Sequence, residues 1–208
     1  MKSVKAFLYN QFLLLTCLCL RPFYFCTSRK LSAAESSQNR RCNEELPSCK
    51  EPIHDQRKQP ANQFHIGRFL SSYNGCACIA VFNALLCRKT YISFPALIAQ
   101  FEEKGCLCLQ GKFGVNPYRL PRILKELAVP FSCYHRLSAL EAAMCTNDTA
   151  ILFIWNDRAD LRQGAHFFTV QKQHSGYTVY NRLAAVKSYE TLADIIGKGM
   201  FITGCRLF

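Results

Sequence analysis

Three residues of this 208-residue chain have the types and settings that thiol chemistry requires: Cys76, His166 and Asn181. Cys76 ends the polar turn Ser72-Tyr73-Asn74-Gly75. It opens an apolar series (Ile79, Ala80, Phe82, Ala84, Leu85, Leu86) whose spacing predicts a buried helix through Cys87. A cysteine at a helix start lies among unpaired N–H groups at the positive end of the macrodipole, which favours thiolate over thiol. Such a nucleophile needs a general base within hydrogen-bond reach, and the base needs an orienting group. Of the five histidines, His54 and His65 fall in or beside a polar arm, His135 in a loop and His174 in a hairpin turn. His166 instead opens the strand pattern His166-Phe167-Phe168-Thr169-Val170. With His174-Ser175-Gly176 as the turn, Tyr177–Asn181 returns alongside, bringing Asn181 opposite His166 to accept a hydrogen bond from the imidazole. Each residue also has a plainer reading: Cys76 as one more buried thiol, His166 as a strand-end histidine, Asn181-Arg182 as a turn. Cys78, two residues along the same helix, faces away from Cys76 and reads as structural.

The whole chain narrows the classes. The formal charge is +12, with 11 Lys/Arg against 5 Asp/Glu in residues 1–68 and 15 against 9 in residues 69–208. The excess is therefore +6 in each part, forms no dense run and is not interleaved with aromatics, so a solvated basic surface is favoured over nucleic-acid binding. The 13 cysteines include Cys17/Cys19, Cys76/Cys78 and Cys106/Cys108, all Cys-x-Cys. That is not the Cys-x-x-Cys spacing of zinc ribbons or redox motifs, so no metal and no cofactor is expected. A disulfide framework is not expected either; Cys42 and Cys49, in a polar segment, form the best candidate bridge.

Residues 1–30 read as a signal peptide or membrane anchor. Lys2 and Lys5 precede an apolar run whose core is Phe12–Leu20, about nine residues against the roughly 20 a spanning helix needs. Alternatively, that segment is not translated. Secretion or anchoring follows from the first reading and a cytoplasmic location from the second. Residues 31–63, rich in Ser, Gln, Asn, Pro and charge, read as a disordered linker. The folded domain is expected over 64–208.

Within it, helices are expected at Cys76–Cys87, at Phe94–Lys104 with Ser93 as N-cap and Gly105 as C-cap, and from Asn116-Pro117 to about Leu127. Ser138-Ala139-Leu140-Glu141 reads as a capping box. Strands follow at Ala150–Trp155, His166–Gln173 and Tyr177–Asn181, then a helix at Tyr189–Ile196 and a strand at Met200–Leu207. Helices first and an antiparallel sheet afterwards define an α+β fold.

The run Asn74-Gly75-Cys76-Ala77-Cys78-Ile79-Ala80, the loop Gly111-Lys112-Phe113-Gly114-Val115-Asn116-Pro117, and His166 followed by Asn181 resemble a papain-like cysteine peptidase, specifically the peptidase C39-like branch. The resemblance covers roughly residues 69–207. It implies that N-terminal helices pack on a C-terminal antiparallel sheet and that the 111–117 loop lines the substrate cleft. It implies Cys76 as nucleophile, His166 as the base that later protonates the leaving group, and Asn181 as its orienting partner, with acyl transfer to sulfur followed by hydrolysis. The substrate implied is a peptide or protein. No nucleic-acid partner is expected, and membrane association would come only through the N-terminal segment. Two positions depart from the family pattern: Ala77 replaces the usual Gly, and Leu70 stands where an oxyanion-hole Gln is usual. Asn74 is the nearest amide and becomes the oxyanion-hole candidate. The alternatives are a catalytically inactive papain-like module that binds peptides or a partner protein, and a thiol acyltransferase on the same scaffold.

Overall fold

The structure, a computed structural model, describes residues 21–182 and 188–208. Residues 21–27 are helical, followed by α1 (Ala33–Glu44), a small hairpin of β1 (His65–Ile66) and β2 (Phe69–Leu70), and a single helical turn, Ser71–Asn74. Next come α2 (Cys76–Cys87), α3 (Phe94–Glu103), α4 (Leu120–Glu126), β3 (Phe131–Tyr134), α5 (Leu137–Ala143), β4 (Thr149–Trp155), β5 (Ala165–Gln173), β6 (Gly176–Tyr180), β7 (Ser188–Tyr189), α6 (Leu192–Ile196) and β8 (Met200–Leu207). Six strands form one sheet in the order β3-β8-β4-β5-β6-β7, every pairing antiparallel. The mixed helix-and-sheet class with an antiparallel sheet is thus as expected.

Strands β4 and β5 are apolar without alternation because both sheet faces are covered. Ile151, Phe153 and Phe167 pack with α2, α3 and α4, while Leu152, Ile154, Phe168 and Val170 pack with α5 and α6. Each fully buried Phe here is worth roughly 1.5–3 kcal/mol over an exposed one. Every residue of α2 from Ala77 to Leu85 is buried. Its small side chains admit β5 closely enough for Thr169 Oγ1 to donate to the Ala80 carbonyl at 2.6 Å.

Several expectations need correction. Residues 31–63 are not a disordered linker. Ser32 and Glu35 form a capping box at the start of α1. Ser36 Oγ and Asn39 Nδ2 donate to the Glu102 carboxylate of α3, and Asn43 exchanges two hydrogen bonds with the backbone of His65. The polar residues that made this segment look solvated are the ones that dock it. Farther along, Ile53 is buried and clamped by Asn83 of α2, so the core begins before residue 64. Cys42 and Cys49 are both free thiols: Cys42 stays on α1, where Gln38 Nε2 donates to its sulfur, while Cys49 is buried in the helix-side core. Ser138 caps nothing, because α5 starts one residue earlier; Glu141 instead accepts from the Leu192 amide at the start of α6. Strand β3 was not foreseen, since a four-residue edge strand with no clean alternation gives little periodic signal.

The N-terminal signal or anchor falls largely on residues 1–20, outside the described residues. Among the described residues, no helix is long and apolar enough to cross a membrane.

Candidate functional site

Cys76 lies in the first turn of α2, half-buried, with the Phe167 amide of β5 beside its sulfur. The helix start is less open than the sequence implies. The turn Ser71–Asn74 runs almost directly into α2, and the Gly75 amide already donates to the Ser71 carbonyl at 2.8 Å. Gly75 is required at this junction, since a Cβ there would lie 2.5 Å from that carbonyl oxygen. Burial pushes the Cys76 thiol upward, opposed by the amides of Phe167, Ala77 and Cys76 itself. At neutral pH the sulfur is therefore a thiol rather than a preformed thiolate.

His166 and Asn181 meet, but through a different atom than the hairpin reading implied. The imidazole Nε2–H donates to the backbone carbonyl of Asn181 at 2.5 Å. This fixes the tautomer and leaves Nδ1 as the free acceptor. The hairpin register explains the shift. Gln173 pairs with Gly176, so the turn is His174-Ser175, and Tyr180, the last paired residue of β6, lies opposite Thr169 rather than near His166. Gly176 is held by crowding: its φ is +134°, and a Cβ would collide with the Tyr189 carbonyl of β7.

The Asn181 side chain is directed elsewhere. Its Oδ1 accepts from the Gln56 amide at 3.0 Å and its Nδ2 donates to Gln56 Oε1 at 3.3 Å. Gln56 Nε2 in turn donates to the Ser72 carbonyl at 3.0 Å, tying the β6 terminus to the turn before Cys76. Sequence reasoning missed Gln56. It carries no periodic or motif signal, being one amide in a polar stretch 20 positions before Cys76. A cleft of about 230 Å³ lies here, lined by His54, Gln56, Asn156, His166, Asn181 and Arg182 among others.

The imidazole stacks with Phe168 at 6.4 Å, on the strand face opposite Phe167 and α2, and no hydrogen bond joins it to the Cys76 sulfur. Burial lowers the imidazole pKa, with the Arg182 guanidinium adding in the same direction and the Asn181 carbonyl opposing. Arg182 is itself fixed over the Phe168 ring and donates to the carbonyls of Ile195 and Ile196. The result is a neutral thiol and a neutral imidazole on neighbouring elements.

Asn74 is structural rather than an oxyanion donor. Both N–H groups of its amide are taken, by the Ile66 carbonyl at 3.0 Å and the Gly111 carbonyl at 2.9 Å. The amide is buried, its Oδ1 has no hydrogen-bond partner, and Gly111 is glycine because a Cβ would sit 2.5 Å from Asn74 Nδ2. This contact ties the 109–111 turn to β1. Leu70 is 43% exposed in β2, so no amide replaces it from its own position. Among the described residues, no cluster of His, Cys, Asp or Glu has the makings of a metal site.

No family model matches the chain, and a search of curated proteins finds no match.

Proposed function

We propose that the protein is a papain-like thiol hydrolase acting on peptide or amide bonds, with Cys76 as nucleophile and His166 as general base. One observation carries this reading: the Cys76 sulfur abuts the Phe167 amide, the residue next to His166, whose Nε2–H is fixed by Asn181. A nucleophile, a base held in one tautomer and an orienting acceptor thus occur in the chain order Cys, His, Asn on a helix, a strand and the residue after the adjacent strand. In this mechanism the imidazole must first swing round the start of β5 towards α2; Nδ1 then takes the thiol proton as sulfur attacks the carbonyl carbon and returns it to the leaving amine. Water hydrolyses the thioester. The amides beside the Cys76 sulfur, those of Phe167, Ala77 and Cys76, are the candidate donors to the developing oxyanion. The orienting acceptor is the Asn181 main chain, and Gln56 holds that residue in turn. A peptide is the expected substrate, and export or anchoring through residues 1–30 belongs to the same reading.

A second reading, an inactive module that binds peptides, is favoured by two features: Cys76 and His166 share no hydrogen bond, and Asn74 is committed to the fold. A peptidyl electrophile with a thiol-reactive group separates the two. A hydrolase is labelled at Cys76 faster than at Cys26, Cys133 or Cys145, the exposed thiols, and Cys76→Ala abolishes both labelling and amide cleavage. Labelling that follows solvent exposure alone, together with cleavage unaffected by Cys76→Ala, rules out the hydrolase.

A further inference from the structure

The described residues include eleven free cysteines, and one pair of sulfurs among them is in contact: Cys133 Sγ and Cys205 Sγ, 2.8 Å apart. The two residues sit directly opposite each other on neighbouring antiparallel strands β3 and β8. Opposed residues in such a ladder have Cα atoms about 4.5–5.5 Å apart, inside the roughly 4.4–6.8 Å span of a disulfide. Cys76 and Cys78 lack this relation, because residues two apart on a helix do not face each other. Cys133 is exposed and Cys205 is buried in the helix-side core. Both line a cavity of about 200 Å³ that is bordered by Arg21 and His135 and, among the described residues, by no acidic side chain.

We propose that Cys133 and Cys205 form a dithiol site that a small anionic disulfide oxidises to a cross-strand disulfide, fastening the edge strand β3 to β8. Cys133 is the entry thiol, for it is reachable from solvent and its pKa is lowered by the hydrogen bond from Cys205. As thiolate it attacks one sulfur of RSSR, forming a Cys133–S–SR mixed disulfide and expelling RS⁻. The Cys205 thiol gives its proton to solvent, and its sulfur displaces the second RS⁻ from Cys133. Two protein thiols are oxidised and one RSSR is reduced; the released protons convert the two RS⁻ to RSH. The buried Cys205, whose own pKa is pushed upward by the same contact and by burial, is unreactive alone and acts as the resolving thiol. Arg21 at the cavity supplies the positive charge that favours an anionic thiol carrier. Among the described residues strand β3 pairs only with β8, so this bond holds that edge of the sheet.

The test uses the full chain equilibrated in oxidised and reduced glutathione, then alkylated and mapped by mass spectrometry. A Cys133–Cys205 linkage is expected to form about tenfold faster than any disulfide involving Cys26 or Cys145. In Cys205→Ala a glutathione adduct accumulates on Cys133, whereas in Cys133→Ala the Cys205 thiol stays free. Oxidation slows amide exchange across residues 131–134 by at least about tenfold, since the strand can no longer open alone. The proposal is overturned if both thiols remain alkylatable under oxidation, if Cys133 links equally to Cys26 or Cys145, or if the pairing preference persists in urea. None of these outcomes depends on hydrolase activity.

Discussion

The interaction joining the N-terminal arm to the central helix is small and quantifiable. Asn83, fully buried in the middle of α2, accepts from the Ile53 amide at 2.7 Å and donates to the Ile53 carbonyl at 2.8 Å. In Asn83→Ala both Ile53 backbone groups lose their partners while remaining buried, at about 1–3 kcal/mol each. Alanine recovers roughly 0.5 kcal/mol of helix propensity over asparagine, for a net loss of about 1.5–5.5 kcal/mol. Three residues on, Gln56 loses the anchor that brings it to Asn181, so the change reaches the candidate site. If the arm opens locally, the Ile53 and Gln56 amides should exchange roughly 10- to 10,000-fold faster, with 1.36 kcal/mol equal to a factor of ten. If it does not open separately, the urea midpoint falls at constant slope by the equivalent energy. Asn83→Leu, which fills the space without hydrogen bonds, should be as damaging. A loss below about 0.5 kcal/mol with unchanged Ile53 exchange would mean that water replaces the clamp, and the account of a docked arm would be wrong.

Three further outcomes follow from the same geometry. Because the His166 partner is a main-chain carbonyl and Asn181 has φ +60°, Asn181→Gly should keep the proposed amide hydrolysis within about tenfold of the parent. A loss of 10² or more, the range of an acid–base group, would assign the role to the side chain. The lowered His166 pKa means the neutral ring is favoured in the fold. Its contribution is complete above the ordinary value of about 6.5 and is lost as pH falls below that towards the folded pKa. His166→Phe should flatten that part of the stability profile, as read by urea melts between pH 7.5 and pH 5; an unchanged profile would refute the burial of the ring. Glu102 accepts from Ser36, Asn39 and the Gly67 amide, so Glu102→Ala should cost about 2–4 kcal/mol in thermal or urea unfolding. Burial raises its pKa, so its term in stability rises as pH falls through the folded pKa towards the ordinary 4.5 and is flat below. Glu102→Gln should remove that slope while retaining most of the stability, and an equal loss in Gln and Ala would refute the hydrogen-bonding account.

Local order was legible wherever a residue's own pattern or chemistry defines the element. Helix α2 and strand β8 begin and end where the apolar series and the flanking glycines said they would, and Ser93 caps α3 through the Ala96 amide. The proximity of His166 to Asn181 was likewise readable, because a short hairpin is a nearly local structure. What the sequence could not decide was which atom of a polar residue is used, and by what. Asn74, Asn181 and Asn83 are the same side chain with the same donors and acceptors. Only tertiary approach gave the first to Ile66 and Gly111, the second to Gln56 and the third to Ile53. The arm was misread for that reason: low hydrophobicity rules out docking by apolar burial but not by hydrogen bonds to a buried carboxylate, and Glu102 lies more than 60 positions away from Ser36 and Asn39. Sequence alone determined that a cysteine precedes a buried helix and a histidine opens a buried strand. Whether sulfur and imidazole share one face of that strand depends on a two-residue period and a pairing register, and those were decided in three dimensions.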